Sequence, residues 1–298
     1  MTAPHRQPDR AAWMMLTAVA LFAMMDAGLK ALSAHYPPFQ VASLRGLASL
    51  PLVLAWALAS AGPRALLRVR WPLHLLRMLL GVAMIASFVY ALRRLPMATA
   101  YTLFFVAPLL IAALSVPILG ERVGPRRWTA IAVGLAGVLV VLRPTGEGLF
   151  TLAGLAVLVA AFGYAVSAIT VRVLARTDST QATTLWLLVG MAAGAGLLAW
   201  PQWVPVQPAH AWLIAGIGVA GALGQYTVTE AFRRGEASQV APLEYTALLW
   251  GVLLDALVWR VLPDALTWLG AAIIVTSGLY LMRRERLRGR PHLEAEHP

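Results

Sequence analysis

Apolar side chains fill this chain in long blocks, and the breaks between blocks are short and carry Pro, Gly or Arg. A helix needs roughly 20 apolar residues to cross the hydrocarbon of a bilayer. Read with that window, the sequence predicts ten spans, at about 11–32, 38–60, 72–93, 97–119, 125–143, 150–173, 180–200, 210–232, 237–259 and 264–282. Spans of a β-barrel would be about ten residues long with polar alternation, which this chain lacks. Residues 1–10 and 283–298 read as two polar tails, with no stretch left for a separate soluble domain. The first apolar run, from Ala11 to Leu32, is too long for the core of a signal peptide and has no small-residue cleavage site after it. The expectation is an all-α membrane protein.

Composition agrees. Of 298 residues, 60% are apolar and only 12% charged, whereas soluble domains carry about a quarter charged residues. The net charge of +11 would suit nucleic acid if the basic groups shared one surface, but they fall in short clusters between spans. With the N-terminus placed inside, Arg6, Arg10, Arg64, Arg68, Arg70, Arg122, Arg126, Arg127, Arg172, Arg176, Arg233, Arg234 and the five arginines of the tail lie in the cytoplasm. Arg93, Arg94, Arg143 and Arg260 alone lie outside. That asymmetry predicts a bacterial inner-membrane protein with both termini cytoplasmic. The basic tail Arg283–Arg290 is expected to meet anionic membrane lipid rather than nucleic acid. The absence of cysteine excludes disulfides and thiolate chemistry. His5, His35, His74, His210, His292 and His297 are too scattered for a metal site or for a membrane enzyme acting on lipids.

The chain also repeats itself. An offset of 140 residues superposes Ala91-Leu-Arg-Arg94 on Ala231-Phe-Arg-Arg234, and pairs Leu103 with Leu243, Ala107 with Ala247, Leu109 with Leu249, Leu114 with Leu254 and Trp128 with Trp268. The same offset pairs Phe22 with Phe162, span one with span six, Phe105 with Tyr245 and Tyr90 with Glu230. Five spans per copy is an odd number, so residues 11–143 and 150–282 are expected to insert in opposite senses. Inverted repeats of this kind characterise secondary transporters, whose sites lie near the midplane between the halves.

The residues Ala91–Pro108 with Leu119-Gly-Glu-Arg122, and Val240-Ala-Pro-Leu-Glu-Tyr-Thr-Ala-Leu-Leu-Trp250, resemble the EamA-type members of the drug/metabolite transporter superfamily. The likeness covers nearly the whole chain. It departs where Arg260-Val261 replaces the Gly-Glu pair of the first half, so a symmetric role for Glu121 does not carry over. The resemblance implies a ten-helix basket, two inverted five-helix repeats around a central cavity, and mostly metabolite export or exchange. The overall look is similar to the YddG-type exporters of aromatic and other neutral amino acids.

A charge within the membrane requires a partner or a wet cavity. Asp26 and Lys30 lie four apart on one face of span one, and Arg45 lies on span two. They are expected as a structural pair, Asp26–Arg45 or Asp26–Lys30, or as a gate or contact for a zwitterion. Glu244 and Asp255 share a face of span nine. Glu230 ends span eight, and Arg77 on span three could pair with Glu230 or Glu244. Tyr90, Tyr101, Phe105, Tyr164, Tyr226, Tyr245 and Trp250 are the aromatics expected to line the substrate pathway, with Glu244. Rings there would offer apolar area plus a polar handle. Trp71, Trp128, Trp200, Trp203, Trp212 and Trp268 fall at span ends as interfacial anchors. Pro108, Pro117 and Pro242 interrupt helix hydrogen bonding. Gly216-Ile-Gly-Val-Ala-Gly221 matches a dinucleotide fingerprint by letter only, since it lies inside a membrane helix rather than after a strand. With Gly224 and the Gly190–Gly194 spacing it predicts close helix packing.

These readings converge on a secondary transporter of small metabolites working by alternating access, with no catalytic residues, metal or cofactor. Export of amino acids is the leading expectation. Uptake or exchange of a nucleoside-like or other small polar solute is the alternative, with a channel or membrane enzyme as readings of another class.

Overall fold

The computed structural model describes residues 8–119, 125–142, 151–174, 177–234 and 241–288. Among these the chain is all helical. The helices are α1 (Pro8–Leu32), α2 (Pro38–Leu67), α3 (Trp71–Leu92), α4 (Met97–Phe104), α5 (Ala107–Leu119), α6 (Pro125–Leu142), α7 (Leu152–Leu174), α8 (Thr180–Ala199), α9 (Ala211–Arg234), α10 (Ala247–Leu254) and α11 (Ala265–Arg288). A 3₁₀ segment, Ala241–Thr246, leads into α10, and a π-helical segment, Asp255–Trp259, follows it. Helix lies at each of the ten predicted spans, but not as ten equivalent rods. Seven stretches among the described residues are long and apolar enough to cross a membrane, and Trp128–Val141 and Ala265–Tyr280 are shorter apolar helices. The ninth predicted span is the broken run from Ala241 to Trp259.

Local chemistry explains the breaks. The fourth span is interrupted between Phe104 and Ala107, immediately before Pro108, whose ring nitrogen has no hydrogen to donate and whose ring crowds the preceding turn. The backbone there stays satisfied by short-range bonds, Phe105 N–H to Tyr101 O at 2.9 Å and Leu110 N–H to Val106 O at 3.0 Å. Pro242 stands in the 3₁₀ segment for the same reason. In α2 the non-helical residue is Gly62, at φ 71° and ψ 159°. A glycine accepts that conformation, and Pro63 after it disfavours the helical one. Ser179 caps α8, its side-chain oxygen accepting the Ala182 N–H at 3.2 Å.

The principal packed pairs are α1 with α9, α3 with α7, α2 with α8, and α6 with α11. Next come α3 with α8 and α2 with α9. Exchanging each first-half helix for the one that follows it by a half-chain maps this set onto itself. Glycines permit the closest approaches. A Cβ on Gly218 would stand 2.5 Å from the Ala48 carbonyl oxygen, and one on Gly46 2.6 Å from the Ala192 nitrogen. The glycine spacing read from the sequence thus serves packing at Gly190, Gly218, Gly221 and Gly224, whereas Gly216 faces open space. The outer surface is apolar: Leu79, Leu197, Trp200 and Trp212 are all more than two-thirds exposed, as lipid-facing and interfacial side chains must be.

Candidate functional site

The two broken spans face each other. Helix α4 packs against α10; the fourth span is interrupted at 105–106, and on the 140-residue offset those positions match the last two residues of the 3₁₀ segment Ala241–Thr246. The repeat-related rings Phe105 and Tyr245 meet there edge-on, their centroids 5.0 Å apart. A separate row of rings joins α7, α4 and α3. Tyr164 on α7 touches Phe104 at 5.4 Å, Phe104 meets Phe88 on α3 at 5.6 Å, and Phe88 stacks on Tyr101 at 6.3 Å and 12°. The row ends in polar groups, because the Tyr101 hydroxyl donates to Asp26 Oδ2 at 3.0 Å. The Glu244 carboxylate lies near enough to Tyr164 and Tyr245 for its charge to act on both.

Asp26 and Arg45 are close enough to attract one another electrostatically, yet the hydrogen bonds described for them go elsewhere. Asp26 accepts from Tyr101, while Arg45 Nε and Nη1 point at the thioether sulfurs of Met25 (3.2 Å) and Met191 (3.5 Å). Neither residue is fully buried. Thioethers are weak acceptors, so these guanidinium donors are only weakly engaged.

Several expected pairings are corrected. Lys30 does not bond Asp26, four residues before it. Its Nζ reaches Asp255 Oδ1 at 2.9 Å, and Asp255 is completely buried. Local helical spacing favoured Asp26, but the packing of α1 against the ninth span offers a better acceptor. Arg77 bonds neither Glu230 nor Glu244; it donates to Ser167 Oγ at 3.3 Å and to the Thr183 carbonyl at 2.8 Å, because α3 lies between α7 and α8. Tyr90 is outside the aromatic row, its ring 3.7 Å beneath the Arg94 guanidinium at the helix end. Trp250 packs on the α1–α9 seam around Met15, Val19 and Ala231. Tyr226 is 44% exposed on α9, and Glu230 is buried near the end of that helix. Glu121 lies outside the described residues. His74 bonds Asp178 at 2.8 Å and His210 bonds Tyr36 at 2.7 Å, so both serve helix-end contacts.

Phe88, Phe104 and Trp259 belong to this region and were not singled out from the sequence. Phe104 sits inside the stretch Ala91–Pro108, which was a usable signal. Phe88 and Trp259 offered none beyond being aromatic, since their contacts depend on which helices become neighbours. Among the described residues no group of His, Asp or Glu could hold a metal ion.

Apolar helices interrupted at matched places, with rings and opposed charges between them, define a multi-pass membrane transporter. The chain belongs to the EamA-like transporter family, whose model matches twice, over residues 9–143 and 151–283. It is 32% identical to the riboflavin transporter of Vibrio cholerae over 97% of this chain and 98% of that protein. It is also 32% identical to the riboflavin transporter of Rhizobium johnstonii, over 96% of this chain and 95% of the other. The pseudopaline exporter CntI of Pseudomonas aeruginosa is 27% identical over 78% of this chain and 83% of its own length. A crystal structure of a protein 23% identical superposes at a TM-score of 0.65, covering 94% of this chain and 99% of that one, and shows the same fold. The named relatives are transporters, and the chain is a transporter rather than an enzyme.

Proposed function

We propose that this protein moves a small metabolite bearing a flat aromatic or heteroaromatic ring, and that riboflavin is its substrate. The observation that carries the reading is the row of rings, Tyr164, Phe104, Phe88 and Tyr101, that ends on Asp26 beside Arg45. Flat ligands stack on such rings, each contact contributing about 0.5–1.5 kcal/mol beyond area. The carboxylate and guanidinium at the end supply an acceptor and donors for the polar edge of the ring system. The two riboflavin transporters that match almost end to end support the same substrate.

The machinery is two inverted five-helix repeats, residues 11–143 and 150–282, around a central cavity at the Phe105–Tyr245 contact. The double match of the family model and the exchange symmetry of the packed pairs support two copies, and five spans per copy would insert the second in the opposite sense. The arginine distribution supports an inner-membrane site with both termini in the cytoplasm. The pole at which α1 ends and α4 begins then faces outward. Alternating access follows from rocking one repeat against the other around the shared centre.

A second reading, export of aromatic and other neutral amino acids, is favoured by Asp26 and Arg45 standing opposed, as the ammonium and carboxylate of a zwitterion would need. Purified protein in proteoliposomes separates the two. Saturable uptake of labelled riboflavin that unlabelled flavin suppresses, and that excess tryptophan or leucine leaves alone, supports the flavin reading. Uptake of labelled tryptophan or leucine without riboflavin movement transfers the assignment to amino acids. No movement of riboflavin by folded protein refutes the proposal.

A further inference from the structure

One buried ion pair takes no part in the aromatic row. Lys30, near the end of α1, bonds Asp255, 225 residues later, at 2.9 Å. The second carboxylate oxygen of Asp255 accepts the Ala98 N–H, in the first turn of α4, at 2.8 Å. The Lys30 ammonium also stands 4.3 Å from the centre of the Trp259 ring. A single carboxylate thus ties α1, the start of α4 and the ninth span together. Just beneath it, Gly251 lies against Tyr101 and Ala98 so closely that a Cβ there would come within 2.8 Å of the ring. These contacts lie at one pole of the bundle, the outward one in the orientation proposed above.

The chain around Asp255 is irregular. It opens the π-helical segment, which ends at Arg260 in the left-handed region (φ 55°, ψ 36°), the one non-glycine residue with positive φ among the described residues. Such bulges concentrate where an element changes shape in function. The opposite pole has no copy of the pair at the matched position. The 140-residue offset sets Thr170 against Lys30, and the Thr170 hydroxyl donates within its own helix, to Val166 O at 2.8 Å.

We propose that the Lys30–Asp255 pair is the gate of this pole, made when the pathway is closed to this side and broken when it opens. Dry, the pair persists because its geometry and the Ala98 N–H offset desolvation. Wet, each charge is rehydrated and the contact gains little. The pair therefore favours two states, sealed or open, over anything between.

The absence of cysteine from the natural chain permits a direct test that needs no substrate and so stands apart from the riboflavin assignment. Phe105→Cys puts one thiol about 10 Å below Ala98, seven residues further along the span. A membrane-impermeant maleimide is added to the outside of intact cells, and labelling rates are compared in the parent, Lys30→Met, Asp255→Asn and the double variant. Asparagine keeps an oxygen for the Ala98 N–H, and size-exclusion profiles show which variants fold. The single variants sit on different elements, so failure of one to fold leaves the other to decide. Each should label about ten-fold faster than the parent, which corresponds to a modest population shift. The double variant should match the singles, because either change already removes the pair. Unchanged labelling in the folded variants overturns the gate. Effects that multiply in the double variant overturn the pairing as its cause.

Discussion

Gly251→Ala tests the crossing that lies between the ion pair and the ring contact at the centre. The added methyl would sit 2.8 Å from Tyr101 Cδ2, 3.2 Å from Cε2 and 3.3 Å from the Ala98 Cα. Carbon atoms rest at about 3.5–4.0 Å, so the ring or the backbone must yield by roughly 0.8 Å. The ring is held by its stack on Phe88 and its 3.0 Å bond to Asp26, and a shift of that size breaks the bond. Overpacking costs about 1–3 kcal/mol and the bond to a charged acceptor about 1.5–3 kcal/mol. Alanine in place of a helical glycine returns about 1 kcal/mol. The net expectation is a loss of about 1.5 kcal/mol or more, with uptake falling about ten-fold because α4 is displaced. Gly216→Ala is the matched control: nothing lies within 4 Å of its Cβ position, so it should gain about 0.5–1 kcal/mol. Thermal melts in detergent, followed by tryptophan fluorescence, and proteoliposome uptake measure both variants. Equal melting and equal uptake for the two would refute the close approach of α4 and α10, and with it the sealed pole.

Arg77→Met leaves Ser167 and the Thr183 carbonyl without the buried donor they share, and should destabilise the fold by about 1.5–3 kcal/mol while leaving the riboflavin KM of the surviving protein unchanged; a raised KM would place Arg77 in the pathway instead. Phe105→Ala and Tyr245→Ala should each raise that KM about three- to ten-fold, the equivalent of one aromatic contact, and unchanged values for both would remove the ring contact from the site. Outside the spans, burial pushes the Asp178 carboxyl up, but the hydrogen bonds from Thr177, the Arg70 N–H and His74, with the charge of His74, hold it below its ordinary value of 3.8. A depressed carboxylate stabilises the fold above its ordinary value and loses that contribution as pH falls through the folded one. Asp178→Asn should therefore flatten the acid limb of a melting-temperature profile below about pH 4, and an unaltered limb would show the contact to be idle.

What the sequence made legible follows from the range of each interaction. Apolar blocks and prolines act within a few residues, so helical segments at the expected positions and the breaks at Pro108 and Pro242 could be read directly, whereas Pro117, read the same way, stays inside α5. The repeat added one long-range relation, the match of Phe105 with Tyr245, which became a ring contact. The ion pairs were not legible. Spacing on one helix favours Asp26 with Lys30, but the partner of Lys30 is set by how α1 leans on a span of the other half. Arg77 shows the same limit: its acceptors are a hydroxyl and a carbonyl on two neighbouring helices, and no charge pattern announces them. Tyr90 and Trp250 are expected in the pathway by type; the structure sets Tyr90 against Arg94 and Trp250 on the α1–α9 seam, outside the ring row.

The asymmetry of the intramembrane charges bears on how two similar halves can make a directional cycle. Two identical inverted repeats would close both poles with equal strength and leave the two access states equally populated. Here one pole carries Lys30, Asp26, Arg45 and Asp255, whereas the 140-residue offset sets Thr170 against Lys30 and Val166 against Asp26. In the structure Lys30 and Asp255 spend their charge on each other, and Asp26 and Arg45 keep partial access. The first pair stabilises one access state, and the second stands below it, where a solute could compete for Tyr101 and the guanidinium. A ligand that draws Tyr101 from Asp26 would loosen the same α4 that Asp255 holds by its N-terminal turn. Occupancy of the site and closure of the pole would then be coupled through one short helix of eight residues, and the break before Pro108 would let that helix tilt without dragging α5.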